Sequence, residues 1–322
     1  MTADSGRRDA PELAIVIVNW NTRELLRGCL DAVERYPARV PTEIWVVDNA
    51  SEDGSADMVI SDYPDIRIIQ NSHNLGFSAA NNQAIRETEA DFILLLNSDT
   101  EVQEGALQIA LESARLLRTV VVARLLNSDG TLQHSCFRFP KLAPDIVEAL
   151  YLHKLLPKRV RGRVLLGGYW PHEEERTVDW AIGAFLMVPR EAIDQAGALS
   201  EDYFLFGEDM EWCYRLREAG FPIVFVPDAE VVHHGNQSAT QRAPEWRIRR
   251  THQAKYRFCD DHFSPARARL QRVIDRAGYR VRRELFRFLG MWSPARKAMG
   301  EDYAFILRAM DGGDGGEEGG AS

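Results

Sequence analysis

Cysteine is scarce: four among 322 residues, Cys29, Cys136, Cys213 and Cys259, far apart and with no C-x-x-C pair. That excludes a zinc ribbon, argues against a disulfide framework and makes a reducing cytosol the expected compartment. No apolar run approaches the ~20 residues of a spanning helix; residues 14–18 and 92–96 are of strand length. Residues 1–10 are polar and mixed in charge, without the apolar stretch of a signal peptide. A net charge of −9 argues against a nucleic-acid binder working through bulk charge. Two phosphate-binding signatures are missing as well, G-x-G-x-x-G after the first apolar strand and G-x-x-x-x-G-K-S/T anywhere. A dinucleotide oxidoreductase and a P-loop NTPase thereby lose their main support.

What is present is enough for a sizeable core, with hydrophobic residues at 45% and charged residues at 27%. The length suits two domains, or one large α/β domain with an appendage. Strand-like runs at 13–18, 44–47, 66–70 and 92–96 alternate with helical patterns at 22–35, from Asp53-Gly54-Ser55 onward, and at 76–88. Thr22 is the expected N-cap of the first helix. Strands separated by helices of about a dozen residues predict βαβ units and a mainly parallel sheet. Polar residues follow each strand: Asn19 and Asn21, Asp48 and Asn49, Asn71 and Asn74, Asn97 and Asp99. Any one of them could simply make a turn. Four such clusters at four strand ends point to a crevice at the carboxyl edge of an open sheet, where ligands bind. A nucleotide there, lacking a glycine-rich cradle, needs another counter-charge for its phosphates, and a divalent metal on Asp99 would supply one.

The second half predicts a hairpin around Asn127-Ser128-Asp129-Gly130, a helix over 144–156, a basic mobile loop at 154–163 and a strand within 178–189. A helix over 210–219 with Gly220 as its C′ residue follows, then strands at 222–226 and 230–232. Glu208-Asp209 precede that helix, where carboxylates are favoured by the dipole and open N–H groups alone. The functional alternative is a general base facing a cleft. His233-His234 end the last strand, and alternation sends their rings to opposite faces, so at most one reaches a metal shared with Asp99.

Taken together, these residues resemble the inverting family 2 glycosyltransferases of GT-A fold, in particular the bacterial rhamnosyltransferase-like branch, over residues 13–238. The motifs occur in the family's order: Val18-Asn19-Trp20-Asn21, Val47-Asp48-Asn49-Ala50-Ser51 with Asp53-Gly54-Ser55, and Asn74-Leu75-Gly76-Phe77 with Asn81-Asn82. Then come Leu95-Leu96-Asn97-Ser98-Asp99-Thr100, Gly183-Ala184-Phe185, Glu208-Asp209 with Cys213 and Arg215, and His233-x-Gly235-x-x-Ser238. The resemblance implies a hexosyl-type transferase with a Rossmann-like, mainly parallel sheet flanked by helices. It implies that Asp48 contacts the nucleotide base, although Asn49 stands where many relatives carry a second Asp. Asp99 matches the last Asp of D-x-D, which holds Mg²⁺ or Mn²⁺ against the donor diphosphate. The first position is Asn97, an N-x-D form that leaves one carboxylate and gives weight to His233 as second ligand, with His234 the alternative. Asp209 matches the catalytic base, with Glu208 its neighbour. Asn19, Asn21, Asn74, Gly76, Asn81 and Gly183 complete the implied donor site. The implied donor is dTDP-L-rhamnose, with UDP-hexoses and UDP-galactofuranose as alternatives, and the acceptor a surface polysaccharide or lipid-linked intermediate. Sugar nucleotidyl transfer and a non-catalytic sugar-nucleotide-binding scaffold are the rival classes.

The remainder divides sharply by charge. Residues 265–299 hold ten basic side chains against Asp275 and Glu284. Aromatic and aliphatic residues interleave with these arginines, as Trp246, Tyr256 and Phe258 do with the preceding ones. Two arrangements fit: a helix lying on an anionic membrane, or one packing its apolar face on the catalytic domain. No nucleic-acid recognition motif accompanies the arginines. The expected organisation is a disordered 1–10, a catalytic domain over 11–240, a helical extension over 241–310 and a disordered acidic, glycine-rich tail over 311–322. The expected location is cytoplasmic, or peripheral at the inner face of the plasma membrane.

Overall fold

A computed structural model describes residues 10–165, 167–235 and 243–311. Two units emerge: Met1–Phe139 with Leu166–Ser238, and Pro140–Leu165 with Ala239–Ser322. The segment expected inside the catalytic domain, 140–165, thus groups with the C-terminal helices. Of the ends expected to be disordered, 1–10 and 311–322, residues 1–9 and 312–322 lie outside the described residues, while Asp311 is the last residue of a helix.

The first unit begins β1 (Leu13–Asn19), α1 (Arg23–Arg35), β2 (Thr42–Asp48), α2 (Ser55–Asp62), β3 (Arg67–Gln70), α3 (Phe77–Glu87) and β4 (Phe92–Asn97). It continues β5 (Thr100–Val102), α4 (Ala106–Leu117), β6 (Val120–Leu126) and β7 (Cys136–Phe137). The next segment gives α5 (Leu142–Ala149) and α6 (Lys158–Val164) to the second unit. The chain then returns as β8 (Arg176–Val178), β9 (Trp180–Ala181), β10 (Phe185–Pro189), α7 (Arg190–Ala196), α8 (Glu208–Glu218) and β11 (Ile223–His233).

The main sheet has nine strands in the order β3-β2-β1-β4-β10-β6-β11-β5, with β8 also on β11. β1 and β4 are apolar at nearly every position because both faces are covered, as in parallel sheets with helices on each side. β3, β2, β1 and β4 run parallel, β10 runs antiparallel to both β4 and β6, and β11 pairs parallel with β6. After β1 the chain lays β2 and β3 on one side and then crosses to lay β4 on the other. The carboxyl ends of β1 and β4 therefore flank the topological switch point, where an open sheet leaves a crevice. Their register sets Val18 beside Asn97. The two expected strands at 222–232 form one strand, whose register on β6 shifts between Val226 and Glu230, across Pro227. Gly220 closes α8 in a left-handed conformation: its N–H reaches Arg217 O at 3.0 Å and that of Phe221 reaches Leu216 O at 2.9 Å, a Schellman stop.

The second unit adds α9 (Pro244–His262), α10 (Pro265–Leu289) and α11 (Pro294–Asp311). Two expectations change here. The helix over 144–156 breaks at Tyr151, which is left-handed, and the basic stretch expected as a loop forms α6 after Pro157. Lys and Arg are good helix formers, and their lack of apolar periodicity hid the helix. α5 crosses α10 closely where Gly278 meets Ala149. Buried Gln271 donates to Asp145 Oδ2 at 2.7 Å, and Lys255 pairs with Asp275 at 2.8 Å. The Arg282 guanidinium lies over Tyr151, Tyr279 and Tyr303. A Cβ at Gly278 would stand 2.7 Å from that of Ala149. Gly278→Val should therefore lower stability by about 1–3 kcal/mol, read as an earlier urea midpoint. An unchanged midpoint would mean that α5 can draw away at no cost.

Candidate active site

The end of β1 is tied to the end of β2 by side chains rather than by ladder bonds alone. Buried Asn19 donates to Asp48 Oδ1 at 3.2 Å and to Ser51 Oγ at 3.1 Å, and accepts from Thr22 Oγ1 at 2.6 Å. Asp48 takes a second bond, 2.9 Å, from Ser51 N–H. Thr22 occupies the N-cap position of α1, but its hydroxyl faces Asn19 and Ser98 instead of the helix N–H groups. Asp53 caps that helix, accepting from Arg23 N–H at 2.8 Å. Asn21, left-handed at φ 52°, accepts from Glu52 N–H, and its own N–H donates to Ser51 Oγ. Asn19 thus orients the Asp48 carboxylate at the rim of the crevice.

The next cluster is an amide network. Asn49 donates to Asn74 Oδ1 (2.8 Å) and Gly76 O (3.3 Å), and accepts from Asn71 Nδ2 (3.1 Å) and Leu75 N–H (3.0 Å). Two donor hydrogens and two lone pairs are a full complement for an amide, so the contacts of Asn49 shape the 71–76 turn. Asn74 joins it through Gly76 N–H, 2.9 Å from its Oδ1. Gly76 enters α3 at φ +85°, where a Cβ would lie 2.6 Å from Phe204 O. That close approach lets Phe77 N–H donate to Phe204 O at 3.0 Å, docking the 199–207 loop on the start of α3. Buried Asn81 donates within its own helix to Phe77 O. Its neighbour Asn82 clamps the loop: Oδ1 accepts from Leu199 N–H, and Nδ2 donates to Leu199 O and Glu201.

The loop delivers α8, which starts after Phe206 and Gly207, both left-handed. Asp209 Oδ2 accepts from Gly183 N–H at 3.2 Å and Oδ1 from Met210 N–H at 2.7 Å. Gly183 is hemmed by the Phe77 ring and Asp209. Glu208 is buried, and its Oε2 has no hydrogen-bond partner among the described residues. Burial, and then the Asp209 charge, push the Glu208 carboxyl far up; burial also raises Asp209, against the N–H groups of Met210 and Gly183. Glu208 is thus the neutral member of the pair, while Asp209, half-buried as a residue, keeps two N–H donors on its carboxylate. Arg215 anchors the helix, pairing with Glu211 and donating to the carbonyls of Ala196 and Ala198.

At the end of β4, Asn97 N–H donates to Ala184 O at 3.1 Å. β5 then pairs with β11 so that Thr100 stands opposite His233. Asp99 Oδ1 lies 3.2 Å from His233 Nε2, both residues buried, and Asn97 Nδ2 is 3.4 Å from the same nitrogen. On the far side of the ring, His233 Nδ1 is 2.5 Å from Gln133 Oε1, while Gln133 Nε2 donates to Asn127 Oδ1 and His233 O. With Gln133 so oriented, Nδ1 donates to it, and Nε2 is left as the nitrogen beside Asp99 that a metal would take. A carboxylate oxygen and an imidazole lone pair at this separation suit adjacent positions on one cation, since ligands about 2.1 Å from a metal at right angles stand about 3 Å apart. Asp99 and His233 fit a divalent ion on that count. Among the described residues no three His, Cys, Asp or Glu side chains gather for a metal, so further ligands would come from a bound phosphate. His234 turns away, bonded to Glu101 at 2.9 Å and Ser128 at 2.8 Å. Ser238 lies outside the described residues.

The expected residues therefore assemble into one crevice wall: Gly183 touches Asp209, and the next residue, Ala184, holds Asn97. Gln133 escaped sequence reading, and Asn82 was read only as part of a motif, with no role of its own. The first sits in no motif and meets its partner 100 positions away, and the second was overshadowed by Asn81.

Comparison with known proteins agrees with this architecture. The family described as "Glycosyltransferase like family 2" matches residues 10–257. The N-acetylglucosaminyl-diphospho-decaprenol L-rhamnosyltransferase of Mycobacterium tuberculosis is 29% identical over 280 residues, covering 78% of this chain and 85% of that protein. The low-salt glycan biosynthesis hexosyltransferase Agl10 of Haloferax volcanii is 24% identical, with 85% of each covered. Among solved structures, a mannosyltransferase from Pyrobaculum calidifontis in complex with GDP-Man and Mn²⁺ superposes with a TM-score of 0.57 at 15% identity, over 93% of this chain and 86% of that one. The likeness in structure establishes a GT-A fold.

Gly76→Ala tests the docking of the loop. The methyl group meets the Phe204 carbonyl in a left-handed backbone, an expected cost of about 2–4 kcal/mol. Thermal unfolding should shift down and amide exchange in 199–207 should rise; unchanged values for both would refute the close approach.

Proposed function

The chain belongs to the glycosyltransferase-like family 2, and we propose that it transfers a sugar from a nucleoside-diphosphate donor to a hydroxyl of a glycan or lipid-linked acceptor, with inversion. Its relatives' names favour L-rhamnose as the sugar and a lipid-diphosphate-linked sugar as the acceptor. An acceptor of that kind resides at a membrane, so peripheral association belongs to the same reading. No described helix is long and apolar enough to cross one.

The observation that carries the proposal is the linking of the Asp209 carboxylate to an Asp99–His233 pair through the consecutive residues Gly183 and Ala184. In the reaction the acceptor hydroxyl oxygen bonds to the anomeric carbon, the bond from that carbon to the diphosphate oxygen breaks, and the hydroxyl proton goes to Asp209. Gly183 N–H and Met210 N–H aim the Asp209 carboxylate for that transfer. Glu208 is neutral in its buried site, and Glu211 is neutralised by Arg215, which leaves Asp209 the unpaired negative charge of the Glu208–Asp209 pair. Asp48, oriented by Asn19 and Ser51, takes the nucleoside end. Asp99 and His233 would hold Mg²⁺ or Mn²⁺, which when bound neutralises charge developing on the leaving diphosphate. Mn²⁺ accompanies the nucleotide sugar in the mannosyltransferase structure, which supports a divalent ion here.

Three expectations follow. Asp209→Asn should lower turnover by about 10²- to 10⁴-fold while donor binding persists, whereas Glu208→Gln, isosteric with the neutral acid, should stay within a few-fold at neutral pH. Steady-state kinetics with donor titrations decide, and near-normal turnover of Asp209→Asn removes it as base. Because burial raises Asp209, protonation should silence the base on an acid limb above the ordinary carboxylate value of about 4; activity should rise with pH through that limb. A limb at or below 4 in a turnover–pH profile contradicts the assignment. Gln133→Leu should weaken Mn²⁺ binding in the presence of donor nucleotide by about 10- to 100-fold, with Gln133→Glu recovering most of it. The free Mn²⁺ signal in electron paramagnetic resonance reads this without turnover, and equal affinity in all three proteins would deny Gln133 its positioning role.

A further inference from the structure

α10 has three lengthwise faces. Ala268, Gln271, Ile274 and Gly278 are buried and form the face that meets α5. At about 100° per residue, Leu270, Val273, Val281 and Phe288 share a second arc of about 80°. All four are exposed, Val273 by 61% and Phe288 by 59%. Just beyond the helix end, Met291 and Trp292 are also exposed, Trp292 by 69%, and Trp292 packs on Phe288. Arg269, Arg276, Arg280, Arg283 and Arg287 share a third arc of about 60° on the other edge of the apolar one. Arg269 and Arg280 make no ion pair among the described residues. Glu284 falls within the apolar arc by the same count and is held by Arg283 and Arg287 from its edge, and Arg276 by Asp311.

We propose that the exposed apolar arc of α10, with Trp292, is a docking surface for an anionic lipid bilayer. The pattern is an apolar strip of strand-to-strand width for acyl chains, a row of guanidinium groups along one edge for phosphate headgroups, and an indole at the end suited to the interface. Local charge decides against a second copy as occupant: pairing two such helices along this strip would bring together two segments that each carry eight excess positive charges, and an antiparallel pair would set their arginine rows side by side. The chain as a whole is acidic, so an anionic surface would be held by this face and repelled by the rest. That orients as well as attaches. The inference deepens the lipid-linked acceptor reading by giving the enzyme a place to meet such an acceptor.

The test is flotation of the full chain with vesicles of phosphatidylcholine alone or of phosphatidylcholine and phosphatidylglycerol. The chain should float with the mixed vesicles, not with phosphatidylcholine alone, and salt should release it. Val273→Asp with Phe288→Asp, and separately Arg269→Glu with Arg280→Glu, should each cut the bound fraction by about tenfold or more. These exposed sites should leave the melting temperature unchanged, and a donor-induced thermal shift should persist in every variant. Failure to float with either vesicle, or flotation indifferent to both double variants, overturns the proposal. So does a lipid-free dimer in analytical ultracentrifugation that Val273→Asp with Phe288→Asp returns to monomer. Flotation without any donor shift would instead count against the transferase reading and leave this surface standing.

Discussion

Two successive peptides, at Gly183 and Ala184, hold the chemical ends of the site together. The first turns its N–H to the Asp209 carboxylate; the second offers its carbonyl to the N–H of Asn97, two residues before Asp99. This works only in one register of β10 against β4, the one with Phe185 opposite Leu96. A slip by one residue would reverse which face each side chain of β10 presents. It would exchange Phe185 and Met187 for Leu186 and Val188 on the face packed with Leu94 and Leu96, misfitting a close-packed core. The apolar packing of two antiparallel strands is thus what sets Asp209 and the Asp99–His233 pair in fixed relation.

Around that fixed frame the crevice is lined mostly by amides. Asn19, Asn21, Asn49, Asn71, Asn74, Asn82 and Gln133 tie loop to loop with bonds that together fix three turns. Carboxylates in the same places would make similar contacts as acceptors, but each would add a negative charge to a site that already holds Asp48, Asp99 and Asp209. Neutral amides build the same geometry without that repulsion, and offer donors as well as acceptors. Asn97 is the clearest instance: it sits 3.4 Å from His233 Nε2 and leaves Asp99 the only carboxylate there.

The alternation of strands and helices through residue 97 was legible because fully apolar strands and amphipathic helices leave strong periodic signals. So were the polar strand ends, which topology then gathers at one edge. The roles within those clusters were less legible. Nothing in the sequence distinguishes Asn49, whose amide is fully engaged in the 71–76 turn, from a ligand-facing Asn. The same holds for Asn81 and Asn82, about 100° apart on one helix, of which the second turns out to bind the loop. Gln133 carries no local signal, since its importance lies in a ring brought to it by β11. The segment 140–165 misled for a related reason: its sequence position lies inside the catalytic domain, while its apolar face is complementary to α10, more than a hundred residues later.

The Glu208–Asp209 pair follows from the same economy of charge. Two adjacent carboxylates at a helix start repel one another, and burial makes the repulsion harder to screen. The fold resolves it by supporting the two unequally: Glu208 is buried with one oxygen unpartnered among the described residues, and Asp209 receives the peptide N–H groups of Gly183 and Met210. The proton then resides on Glu208, and the charge on Asp209. Burial raises Asp209 too above an ordinary carboxylate, against the pull of its N–H partners. Such a group still ionises near neutrality and holds a proton more firmly than an exposed one, which is what removal of a hydroxyl proton asks of a carboxylate.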